Sequence, residues 1–118
     1  MVLYVCRRRK VNVKMSSADD MMYMKMAVEL SRMCVPCATS YCVGAVVVTQ
    51  GGDVYGGYTH ETGSANHAEE EAIAKAFGAG AALRGATIYS SMEPCSQRSS
   101  KPVSCSELII RHGFARVM

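Results

Sequence analysis

The sequence predicts an α/β domain in which helices flank a mixed sheet of four to five strands. Three observations carry that expectation. Residues 43–49 form a uniformly apolar, largely β-branched run, which suits a strand covered on both faces. Apolar residues recur at helical spacing before it, over about 17–33, and after it, over 67–77. Shorter strand patterns at 54–58, 86–91 and 114–118 interleave with helical ones, as layered α/β domains require.

Residues 1–15 hold Arg7, Arg8, Arg9, Lys10 and Lys14 and read as a flexible basic leader, leaving 16–118 as one domain. A first helix starts at Ser17 or Asp19 and runs to about Met33, with Met22, Met26, Leu30 and Met33 as a core stripe, since flexible thioethers fill irregular gaps. Cys34-Val35-Pro36-Cys37 follows that helix. A redox pair of this spacing normally sits at a helix N-terminus, where the dipole lowers the thiol pKa, so the position argues against redox chemistry. Cys42 and Cys6 read as idle or buried residues.

The strand at 43–49 turns through Gln50-Gly51-Gly52-Asp53 into an antiparallel partner at 54–58. A glycine-containing loop, 59–66, then feeds the second helix, with Asn66 as N-cap and Gly78 as its stop. The third strand ends just before Met92-Glu93-Pro94-Cys95, because proline cannot continue a central strand. Ser104-Cys105-Ser106-Glu107 has capping-box spacing and opens a third helix, which ends at Gly113 ahead of a fourth strand. Both later helices therefore start after strands, at the carboxyl edge where α/β sheets bind ligands.

Composition bounds the function. The 118 residues allow one domain with a modest core, and 49% of them are hydrophobic. The leader supplies five of the thirteen positive charges; the remainder carries eight positive against ten negative, which argues against nucleic acid as a partner. No apolar run approaches the ~20 residues of a membrane span, and the charge lies on the wrong side of 1–6 for a secretory signal. A cytoplasmic protein with reduced thiols is the expectation, since two cysteines are needed as metal ligands.

Those two are Cys95 and Cys105, which join His67 as a set of three zinc ligands. Three protein ligands leave the fourth corner of a tetrahedral ion for water, as a catalytic site needs. Glu69 shares the first helical turn with His67; a carboxylate beside the metal but not on it can shuttle protons. A structural zinc site closed by Cys34, Cys37 or His60 is the alternative. It gives Glu69 no reason to share a turn with a ligand.

His-x-Glu followed by Pro-Cys and a second cysteine resembles the zinc nucleobase deaminase signature. The stretch from His60 onward, with HAEEEAI, GATIYSSMEPCS and nine residues between the cysteines, is similar to the deaminase domain of the bacterial riboflavin-biosynthesis deaminase/reductase. The long spacing sets it apart from short-loop cytidine and tRNA adenosine deaminases. The resemblance implies a three-layer α/β/α cytidine deaminase-like fold and hydrolytic deamination of a ribosylamino-pyrimidine phosphate. It also makes His60 a substrate contact. The chain departs from the family at Ser40-Tyr41, where Asn-Pro is usual, and at Gln97, where histidine is usual.

Arg98 and Lys101 stand among Ser96, Ser99 and Ser100 in the long loop, a composition suited to phosphate, with His60 and Asn66 orienting the ring. The expected partner is a small aminopyrimidine or nucleotide. The fourth strand would expose an edge, so a homo-oligomer is expected as well. A deaminase of another base or nucleoside, of cytosine, guanine or adenosine type, and a non-catalytic zinc module stay open as alternatives.

Overall fold

A computed structural model describes residues 16–36, 41–92 and 103–118. In chain order the elements are α1 (Ser17–Ser31), β1 (Gly44–Val48), β2 (Val54–Tyr58), α2 (Ala68–Gly78), β3 (Thr87–Ser90), α3 (Cys105–Arg111) and β4 (Arg116–Val117). They form one four-stranded sheet in the order β2-β1-β3-β4. β1 lies antiparallel to β2 and to β3, while β4 runs parallel to β3. β2 and β3 therefore point the same way and finish at one edge of the sheet.

The strand β1 is apolar throughout because it is covered on both sides. Ala45 and Val47 face a core with Ala68, Ala72, Ile73 and Ala76 of α2, Ile88 of β3 and Ile109 of α3. Val46 and Val48 face a second core with Ala27 and Leu30 of α1 and Tyr89 of β3. The result is three layers, α1 on one face and α2 with α3 on the other, in agreement with the predicted α/β/α architecture.

Two glycines let the helices touch the sheet backbone directly. A Cβ on Gly44 would stand 1.8 Å from the carbonyl oxygen of Ala27, and one on Gly57 would stand 2.6 Å from the amide nitrogen of Ala72. The first contact sets the rotation of α1 about its axis. Ala27 is turned against the sheet with Tyr23, Met24, Met26 and Leu30, so the expected methionine stripe is only partly core: Met22 is 47% exposed and Met33 52%. The sequence period is right but the buried face is offset by the demand for a small residue over Gly44.

α1 begins at Ser17, within the expected range, and ends at Ser31, short of the expected Met33. Ser16 and Asp19 close a capping box, with the Asp19 amide 3.2 Å from the Ser16 hydroxyl and the Ser16 amide 3.1 Å from the Asp19 carboxylate. Further in, Asp20 accepts from the Tyr89 hydroxyl at 2.5 Å and from Arg116 at 2.7 Å, tying α1 to β3 and β4. The Arg116 hydrogen bond foremost, and then that of Tyr89, hold the Asp20 carboxyl below its usual range.

Cys42 is not idle. Contrary to the expectation of reduced thiols, it pairs with Cys34 in a disulfide with a Cα–Cα separation of 5.5 Å. The packing of α1 on Gly44 brings the end of the helix beside the start of β1, which the sequence spacing does not reveal. Cys37 and Cys6 lie outside the described residues. Among the described residues no helix is long and apolar enough to cross a membrane.

Candidate active site

The second helix begins one residue later than expected. His67, not Asn66, is the N-cap, with extended backbone at φ −82° and ψ 161°. The Glu70 carboxylate accepts the His67 amide proton at 2.9 Å, which closes the turn at this residue. An extended N-cap turns the imidazole away from the helix axis, toward the start of α3. The helix also ends later, and the left-handed glycine beyond it is Gly80 (φ 74°) and not Gly78.

At the start of α3, Ser104 is the N-cap and accepts from the Glu107 amide at 3.1 Å. Cys105 is then the first helical residue and is fully buried. Its Sγ stands 3.4 Å from His67 Nδ1. Zinc bonds of ~2.3 Å to sulfur and ~2.0 Å to nitrogen at a tetrahedral angle hold two ligand atoms ~3.5 Å apart, so this pair has the spacing of two ligands on one ion. Imidazole and thiolate are also the donor types that zinc prefers.

Glu69 completes the cluster. Its carboxylate, on a residue only 3% exposed, lies with the Cys105 sulfur and a His67 ring nitrogen in a group whose members are within 4.8 Å of one another. One carboxylate oxygen, Oε2, accepts from the Ser90 hydroxyl at 2.9 Å. Among the described residues this is the one trio of His, Cys, Asp or Glu close enough to share a metal.

The loop between β2 and α2 is clamped from the helix. Glu71, 3% exposed, accepts from the Thr62 amide at 2.8 Å and from its hydroxyl at 2.6 Å. Lys75 donates to the Gly56 carbonyl at 2.7 Å and pairs with Glu61, whose other oxygen accepts from the Tyr58 amide at 3.3 Å. His60 takes a left-handed backbone (φ 60°), and its amide donates to the Asn66 carbonyl at 2.9 Å, closing the loop on itself. The Asn66 side-chain amide reaches the Thr62 hydroxyl at 3.4 Å.

Of the residues singled out from the sequence, the structure thus brings His67, Glu69 and Cys105 together and sets His60 and Asn66 in the adjoining loop. Cys95, Arg98 and Lys101 lie outside the described residues. Ser90, Thr62, Glu71 and Lys75 were missed. The third carboxylate of Glu69-Glu70-Glu71 carried a signal: it stands between Ala68 and Ala72 on the apolar face of α2, where a free carboxylate could not stay.

Known proteins resemble this chain in sequence and fold. Residues 17–118 match the model of the cytidine and deoxycytidylate deaminase zinc-binding region. A diaminohydroxyphosphoribosylamino-pyrimidine deaminase of Schizosaccharomyces pombe is 44% identical over 98 residues, which are 81% of this chain and 24% of that protein. The chain thus spans about a quarter of the length of this relative. The crystal structure of a Thermotoga maritima diaminohydroxyphosphoribosylaminopyrimidine deaminase/5-amino-6-(5-phosphoribosylamino)uracil reductase superposes with a TM-score of 0.71 at 37% identity, covering 81% of this chain and 27% of that one. An Aspergillus oryzae Rib2 deaminase in complex with DARIPP gives a TM-score of 0.69 at 25% identity, covering 82% and 68%. With a family model matched over nearly its whole length and a relative of this identity, the chain belongs to the cytidine and deoxycytidylate deaminase zinc-binding family.

Proposed function

We propose that residues 16–118 form a zinc-dependent deaminase domain that hydrolyses the exocyclic amine of a ribosylamino-pyrimidine phosphate of riboflavin biosynthesis or a closely related aminopyrimidine. The observation that carries this reading is the 3.4 Å His67–Cys105 pair with the buried Glu69 carboxylate beside it. Family membership and the substrate class in the names of the relatives support it. In this reading His67, Cys95 and Cys105 hold the zinc, which when bound activates a water for attack.

Glu69 does the proton work. Its carboxylate accepts a proton from the attacking water and delivers it to the ring nitrogen beside the amine-bearing carbon. It then carries the second water proton to the departing amine. The carbon–oxygen bond forms, the carbon–nitrogen bond breaks, and ammonia leaves with a ring carbonyl in its place. Burial of Glu69 keeps bulk water from short-circuiting these transfers. His60 and Asn66 orient the polar edge of the ring, while Arg98 and Lys101 hold the phosphate. The domain acts in the cytoplasm on a small molecule and as a homo-oligomer, with 1–15 as a basic leader outside the domain.

Ammonia release from a panel of aminopyrimidines, each with and without ribose phosphate, tests this proposal. Turnover greatest on the phosphorylated ribosylamino compound is expected, with Arg98→Ala and Lys101→Ala raising KM for it more than for its dephosphorylated form. A preference for free bases or nucleosides would point to the other deaminase class.

A further inference from the structure

The third strand ends on a hydroxyl that faces the active site. Along β3, Ile88 belongs to the core on the α2 side and Tyr89 to the core on the α1 side, so by alternation Ser90 faces α2, where an apolar residue would be expected. It is 6% exposed, and its backbone is fixed on both sides, paired with Ala45 in β1 and donating its amide to the Met118 carbonyl at 3.0 Å. Its hydroxyl lies 2.9 Å from Glu69 Oε2 and 2.5 Å from the carbonyl oxygen of Met92. One proton serves two oxygens. The same hydroxyl therefore links the Glu69 carboxylate to the chain as it leaves β3 for the segment that carries Cys95.

Glu69 is held from this side by the rigid end of a central strand. A carboxylate otherwise rotates about its last torsion, and a hydrogen bond on Oε2 fixes the plane and leaves Oε1 for the reacting groups. We propose that Ser90 is a positioning residue for the deamination, orienting the Glu69 carboxylate through Oε2. This deepens the deaminase reading and rests on it. Ser90 touches neither substrate nor metal in this role and acts through Glu69.

The test uses two β-branched replacements of nearly equal shape, Ser90→Thr with the hydroxyl and Ser90→Val without it. Ser90→Val is expected to lower kcat about 10-fold or more, the range for losing a hydrogen bond to a charged group, with KM and zinc content little changed. Ser90→Thr should restore most of the loss. A second readout needs no turnover: in thermal melts of the protein as purified, Ser90→Val should lower Tm in the parent and have a much smaller effect in a Glu69→Ala background. Unchanged kcat in Ser90→Val, equal losses in the two replacements, or additive Tm effects would overturn the assignment. If the unmodified protein releases no ammonia from any aminopyrimidine, the deaminase reading itself falls and this role with it, whatever the melts show.

Discussion

His67 and Cys105, 38 positions apart in sequence, place an imidazole nitrogen and a thiol sulfur 3.4 Å from each other at the open edge of the sheet. Neither residue is inside a strand. Each is delivered by the start of a helix that follows a strand, His67 as N-cap and Cys105 as first helical residue, and β2 and β3 finish at the same edge because both lie antiparallel to β1. This juxtaposition is thus a consequence of topology and of two helix caps, Glu70 on His67 and Ser104 on Glu107.

Removal of a ligand should empty the site. Elemental analysis of the purified protein should give about one zinc per chain, lost in Cys105→Ala and in Cys95→Ala, since a zinc site deprived of one of three protein ligands binds far more weakly. Full occupancy in Cys105→Ala would contradict the ligand set.

Packing at Gly57 should be intolerant of any side chain. A Cβ there meets the Ala72 amide nitrogen at 2.6 Å and the Ala68 carbonyl oxygen at 2.9 Å, and backbone atoms cannot step aside. Gly57→Ala should lower stability by about 1–3 kcal/mol, as overpacking does, and push α2 with His67 and Glu69 away from α3. A thermal melt and zinc content read both effects; an unchanged Tm would mean that the helix is free to shift.

Acid should unlock α1 through Asp20. Because Arg116 and then Tyr89 hold its carboxyl below the usual value, the contribution of Asp20 is complete above the unfolded value of ~3.9 and is lost as pH falls through the lowered folded value. Asp20→Asn should therefore melt below the parent at pH 7, and the gap should narrow as pH falls below about 4. A gap that widens in acid would reverse the sign of the argument.

The sheet and the helix starts were legible because their signals are local. The apolar run of β1, the glycines of the first hairpin and the serine at 104 each act within a few residues. What was not legible depends on which surfaces meet. The buried face of α1 is chosen by the Ala27–Gly44 contact, and the Cys34–Cys42 pairing by the approach of α1 to β1. In the site, His67 and Glu69 follow from residue chemistry, since few roles need a histidine and a carboxylate in one turn beside distant cysteines. Ser90 and Thr62 do not, because a serine or threonine in a strand or loop has many ordinary uses. Only the position of their partners, Glu69 and Glu71, gives them a function.

In the proposed mechanism Glu69 moves protons and does not bind the metal. Glu69→Gln, assayed side by side for zinc content and for ammonia release from the preferred aminopyrimidine, separates the two roles, because the amide keeps the size and the hydrogen-bond acceptor but cannot carry the proton. About one zinc per chain and a fall in kcat of at least ~10²–10⁴-fold are expected. Near-parental turnover would take the proton shuttle away from Glu69, and loss of the zinc together with the activity would make it a metal ligand.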